Sequence, residues 1–257
     1  MPRKSDRHSQ IGLDRLVRLD WLERTASLVL AGNSEAVIKE TLQHEVSCAF
    51  KTNDTSVCGS ISKTIRVLSV VWVSPTDELK SLNKSGLELL TKVPLDCHIA
   101  VHWGMLMAAY PFWANVAMQT GRLLRIQSNV SASQVQRRIK EQYGERETVA
   151  RRARYVLRSF VNWKVLNETE KKGVYKAPAN INLKNHDLMR WLAEAYLFSK
   201  TDQTVQAKEL FVSPVFFPFN FKLENIERLL IASDKLEVVR HGLDEIYVKR
   251  KKLAQPR

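Results

Sequence analysis

Acidic residues, cysteines and chain-breaking residues are all scarce in these 257 residues, and each shortage removes a class of protein. The three cysteines, Cys48, Cys58 and Cys97, show no Cys-x-x-Cys spacing. Neither a disulfide framework nor a four-thiolate zinc site is written into the chain. His44 and Cys48 are four apart and could share a helix face with Cys58 nearby, but no second closely spaced ligand pair accompanies them. No metal or other cofactor is expected, and free thiols suit a reducing, cytoplasmic setting. Nine glycines and eight prolines are few for a turn-rich β-fold, and abundant Leu, Ala, Arg, Lys and Glu favour helices. The opening residues 1–10 lack the apolar core of a signal peptide. Chemistry-bearing motifs are missing too. No histidine sits in a nucleophile elbow, a His-Glu-x-x-His pair or a phosphate loop. The best local cluster, His241–Glu245, reads as a solvated turn, and His102 beside Trp103 reads as a satisfied core histidine. No enzyme is expected.

Acid is outnumbered by base, 27 to 40, for a net charge of +13. Such an excess suits a polyanionic partner, nucleic acid before an anionic membrane surface. The charge is unevenly placed. Residues 131–178 hold twelve Lys/Arg against five Asp/Glu, so more than half of the surplus lies on less than a fifth of the chain. Further basic residues form two tails, expected to be flexible: 1–12, with Arg3, Lys4 and Arg7, and 249–257, opening with Lys249–Lys252.

The longest stretch without Lys, Arg, Asp or Glu runs from Cys97 to Gly121. Its length approaches a membrane span, but it contains His102, Asn115, Gln119 and Thr120 and is interrupted at Tyr110-Pro111. Proline disfavours helical backbone in the residue before it. The reading is two buried helices meeting at that dipeptide, with no membrane insertion. Apolar periodicity predicts further helices over 13–31, over 34–50 with Ser34 as N-cap, over 62–73 and around 76–90, with a loop at 51–60. Residues 13–127 thus form a helical bundle. After residue 180, a helix over 186–199, an extended 214–221, a short helix at 225–231 and a strand–turn–strand over 235–248 make a C-terminal module at 181–248.

Between them lies the densest signal, residues 128–180. Ser131 with Gln134 fits a capping box. Val135, Ile139 and Tyr143 then share one face, and Gly144 is placed to end that helix. The next helix carries Val149, Ala153, Val156, Leu157, Phe160 and Trp163 on one stripe. Arg151, Arg154, Tyr155 and Arg158 fall opposite, with Arg152 at the margin and Arg146 at the turn. This exposed face holds no acid, whereas a face that only needs hydration mixes signs. Arginine's planar fork suits phosphate and guanine edges. Arg146, Thr148, Arg151, Arg152 and Tyr155 are therefore expected near bases or the nearest phosphates, with Arg154 beside them, and Arg158, further along, at the DNA backbone. Arg137, Arg138 and Lys140 on the preceding helix are candidates for phosphate. Residues 163–166 and 174–177 are expected to pair as a hairpin with Lys171 and Lys172 at its tip.

This order of helix, turn, arginine-studded helix and hairpin over residues 97–178 resembles the winged helix-turn-helix superfamily. The expected fold is thus mainly α: a helical N-terminal bundle, a winged helix-turn-helix and a small α/β C-terminal module. The layout, with Tyr110-Pro111-Phe112-Trp113 at an interrupted helix before the winged helix, is also similar to the BrxA-type proteins of bacterial BREX phage-defence islands. That resemblance implies a non-enzymatic accessory protein that binds duplex DNA and meets other defence-system subunits. A transcriptional regulator, often a homodimer, and a scaffold whose winged helix binds a partner protein are the alternatives.

Overall fold

A computed structural model of the chain describes residues 7–49, 55–241 and 245–251. The first half is helical: α1 (Leu19–Leu30), α2 (Glu35–Cys48), α3 (Thr55–Leu68), α4 (Lys80–Leu90), α5 (Leu95–Ala109) and α6 (Pro111–Ile126). Next come β1 (Asn129–Ser131), α7 (Ala132–Tyr143), α8 (Glu147–Asn162), β2 (Asn167–Glu168) and β3 (Val174–Lys176). The chain continues through β4 (Ile181–Leu183), α9 (His186–Phe198), β5 (Thr204–Gln206), α10 (Ala207–Leu210), β6 (Phe219–Phe221), α11 (Ile226–Ile231), β7 (Leu236–His241) and β8 (Glu245–Arg250). The mainly helical expectation holds. The strands form three small sheets: antiparallel β1-β3-β2, a parallel β4-β6 pair and antiparallel β5-β8-β7.

α5 is the pivot. Every residue from His98 to Ala109 is buried, so past its first turn this helix has no solvent face. A helix that is apolar nearly all round must be covered on every side, and α1, α4, α6 and α9 all pack against it. Gly104 makes the closest of these approaches possible, since a Cβ there would stand 2.4 Å from the Trp191 ring of α9. The break before α6 falls at Tyr110, whose extended backbone hands over to Pro111 in the first helical turn. Among the described residues no helix is long and apolar enough to cross a membrane. Buried residues from Leu13 to Val248 belong to one cluster, so bundle, centre and C-terminal module share a core.

Several elements depart from expectation for identifiable reasons. Residues 13–18 are not helical. Leu13 adopts a left-handed backbone with φ 60°, and the groups of this segment are held by α8 instead. The Ser159 hydroxyl accepts from Val17 N–H at 2.9 Å, Trp163 Nε1 donates to Val17 O at 2.9 Å, and Asn162 Oδ1 accepts from Leu19 N–H at 3.2 Å. The apolar spacing is real, and Leu13 and Val17 are buried, but as an extended strap. Residues 55–60, expected as loop, open α3, which continues into a π-helical turn at Ser69–Val73; residues 51–54 lie outside the described residues. Within 214–221, Pro214–Phe216 is a 3-10 turn and only Phe219–Phe221 is strand. Both tails are docked where they are described. The Arg7 guanidinium pairs with Glu78 at 3.1 Å and donates to the carbonyls of Ala108 and Phe198. Lys249 and Arg250 belong to β8, and Arg250 stacks on the Phe198 ring at 3.4 Å. The turn after His241 lies outside the described residues.

His102 is a core histidine with both nitrogens satisfied. Nδ1 accepts from Trp72 Nε1 at 3.1 Å, and Nε2 meets Glu23 Oε2 at 2.7 Å. An indole can only donate, so His102 carries its proton on Nε2 and gives it to the carboxylate. The hydrogen bond from His102, aided by a second from His98, holds Glu23 down at about 2. Burial pushes His102 below its ordinary value of 6.5. Both groups act in the same direction with pH. Glu23 contributes fully above 4.5 and loses its contribution as pH falls toward about 2. Neutral His102 begins to lose its own below 6.5. Resistance to thermal unfolding is therefore expected to weaken steadily on acidification. Glu23→Ala, which strands the His102 N–H in the core, is expected to cost about 1–3 kcal/mol at neutral pH and to flatten the acid limb of the profile.

Candidate nucleic-acid interface

α7 and α8 meet across a three-residue turn whose geometry rests on one glycine. Ser131 caps α7 with a complete capping box: its hydroxyl accepts from Gln134 N–H at 3.2 Å, and Gln134 Oε1 accepts from Ser131 N–H at 2.9 Å. Gly144 then ends the helix at φ 94° and ψ 157°, a region that side chains avoid. Arg146, the N-cap of α8, gives its guanidinium to the Tyr143 carbonyl at 3.2 Å. Gln136 Nε2 donates to Ala150 O at 2.9 Å, tying the two helices together. Tyr143 fixes the pair to α6, its ring edge-on to Phe112 at 5.1 Å and its hydroxyl bonded to Asn115.

The apolar stripe of α8 is anchored by aromatic rings. Phe160 stacks on Trp103 of α5 at 5.0 Å and meets Trp113 of α6 at 4.8 Å, and Trp163 lies 5.2 Å from Trp113. With that side locked, Arg151, Arg154 and Arg158 are exposed. Three and four apart, they form one row along the helix. Among the described residues none of them has an acidic partner within ion-pair distance. Tyr155 lies half-buried beside the row, and Thr148 is exposed at its N-terminal end.

Arg152 does not join this row. It is half-buried, and its guanidinium donates to the carbonyl of Ile11. The marginal position on the helix is filled by the N-terminal strap, so Arg152 holds the strap instead of reaching outward. On α7, Arg137 is exposed and Arg138 half-buried, while Lys140 is engaged with Glu145 at 3.4 Å.

The hairpin is shorter and later than its sequence suggests. Trp163 caps α8, and Lys164 turns left-handed at φ 58°. The apolar run 163–166 therefore closes the core, and pairing begins at Asn167↔Lys176 and Glu168↔Tyr175. Gly173, at φ 75°, closes the tip. Lys171 and Lys172 are exposed there, but beside an exposed Glu170. β1, which sequence periodicity does not reveal because it is three residues long, pairs Asn129↔Lys176 along the other edge of β3. Lys176, exposed at the join of all three strands, is a basic residue that the helix-and-turn pattern does not single out. The sheet and the arginine row are neighbours: Arg158 and Arg154 both act on the Tyr175 hydroxyl, against the burial that pushes it above its ordinary value.

Of the residues expected to touch DNA, Arg151, Arg154 and Arg158 thus form an exposed row, Arg146 caps the N-terminus of α8, Arg137 is exposed on α7, and Arg152 is withdrawn. No known protein family, curated protein or solved structure matches the chain.

Two stability outcomes separate these roles. Arg152→Ala is expected to cost about 1 kcal/mol by releasing the strap, whereas exposed Arg151→Ala stays within about 0.5 kcal/mol of wild type. Gly144→Ala is expected to cost about 1–3 kcal/mol, from backbone strain alone. Denaturant unfolding of the single variants measures each.

Proposed function

We propose that residues 111–176 are a winged helix-turn-helix that binds duplex DNA without catalysis, with α8 entering the major groove. The observation that carries this reading is the row of Arg151, Arg154 and Arg158, exposed and, among the described residues, without acidic partners, on the second helix of a tight helix–turn–helix. A positive stripe of this kind carries a self-repulsion that an anionic partner relieves. The order β1-α7-α8-β2-β3, with β3 between β1 and β2, supports the winged form. Arg146 and Thr148 stand where the N-terminal end of a reading helix meets bases. Arg137, Arg138 and Lys176 flank it for phosphate. The hairpin tip, with Glu170 beside Lys171 and Lys172, adds little charge, so most of the affinity falls to α8. The helical body with its Tyr110-Pro111 break is the feature shared with the BrxA-type layout, and it favours an accessory role for this DNA binding within a phage-defence complex.

Binding of duplex DNA is expected to fall steeply with salt, more steeply than binding of single strands. The triple variant Arg151→Ala, Arg154→Ala, Arg158→Ala is expected to lower the slope of log K against log salt by about 0.9 for each phosphate left without its arginine, with unchanged unfolding. Fluorescence anisotropy on duplex DNA, single-stranded DNA and RNA over a salt series tests this. A triple variant that binds duplex like wild type would falsify the reading and hand the surface to a protein partner.

A further inference from the structure

A groove of about 1320 Å3 opens where the starts of α1, α5 and α9 converge with β4 and the last residue of α8. It takes none of the arginines of the α8 row. One of its walls holds a carboxylate–imidazole pair. His98 Nδ1 meets Glu23 Oε1 at 2.8 Å. Ionised Glu23 only accepts, so Nδ1 carries a proton and Nε2 is the ring nitrogen left over. That atom has no hydrogen-bond partner among the described residues and is not sealed from solvent. His98 nevertheless is only 9% exposed and lines the groove. Its neighbour one turn on shows what a purely structural histidine does here: His102 uses both nitrogens on protein partners. His98 uses one on Glu23 and lines the groove.

Three asparagines that line the same groove supply donors. Asn162 Oδ1 is taken by Leu19 N–H at 3.2 Å, Asn182 Oδ1 by Asn220 at 2.9 Å, and Asn185 Oδ1 by the first turn of α9 at 2.9 Å. Each therefore leaves its Nδ2 amide hydrogens over, without a partner among the described residues. Leu19, Pro94, Ile99 and Ile181 make the remaining surface apolar, and Leu95 is held 80% exposed at the rim. The charges do not select an ion. Arg18 is engaged with Asp20 in a two-bond pair at 3.0 and 2.7 Å, and the groove is lined by Lys184 as well as by Asp96 and Glu23. The Cys97 thiol is pushed up by burial and by Asp96.

We propose that this groove binds a small uncharged heterocycle with an N–H beside a carbonyl, the lactam edge of a nucleobase or cyclic amide. The N–H goes to His98 Nε2, the carbonyl to an asparagine amide, and the ring faces to the apolar walls. A few acceptors and donors in a largely apolar cleft are the features such sites share.

Uridine and inosine serve as probes on the full chain. They carry no phosphate, so the arginine row adds nothing to their binding, and the outcome is independent of the DNA reading. In 15N-detected histidine spectra, the His98 Nε2 signal is expected to shift saturably as either nucleoside is added. 3-Methyluridine, whose N–H is blocked, is expected to bind about tenfold more weakly, as one missing hydrogen bond implies, and His98→Phe to weaken uridine by the same factor. The proposal is overturned if neither nucleoside gives a saturable shift, or if 3-methyluridine binds as well as uridine. Those two measurements use wild-type protein, so they decide the matter even where His98→Phe does not fold.

Discussion

The burial of α5 is the constraint from which the rest follows. A helix with no polar face cannot end a domain or line its surface; something must cover each side. α1, α4, α6 and α9 do so, and α8 joins through Phe160 against Trp103. The arrangement explains why one core runs from Leu13 to Val248. It also explains the two histidines of α5. Being polar on an otherwise apolar helix, they must find partners, and Glu23 of α1 meets both. The same interaction that satisfies the core fixes α1 against α5, and with it the groove between their first turns.

α8 is built for two solvents. One side is aromatic and aliphatic, locked onto α5 and α6; the other carries exposed arginines. The boundary between them is held by the strap. Ser159, Asn162 and Trp163 bond to residues 17–19, and Arg152 bonds to Ile11. These bonds fix the helix's rotation about its own axis, and so decide which arginines point outward.

Much of the fold is legible in the sequence, and the places where it is not share a cause. Helices with a strong apolar period, the Ser34 and Ser131 caps and the break at Tyr110-Pro111 are local signals, and each stands where its residues put it. The 13–18 strap has helical spacing but distant partners, more than 140 residues away, so no window could show it. Residues 163–166 look like a strand because they are apolar, yet they plug the core behind a left-handed Lys164. Arg152 lies at the edge of the projected basic face, where only the presence of the strap could decide its direction. The groove is hidden for a similar reason, since Glu23 and His98 are 75 residues apart.

The strap has a consequence for how the molecule comes off the ribosome. Its residues are made before the helix that holds them, which is complete only after residue 163. The bonds from residues 17–19 to Ser159, Asn162 and Trp163 can form only then. The strap is thus closed late relative to the bundle, and an arginine face oriented by it is set only when both ends of this long loop have met.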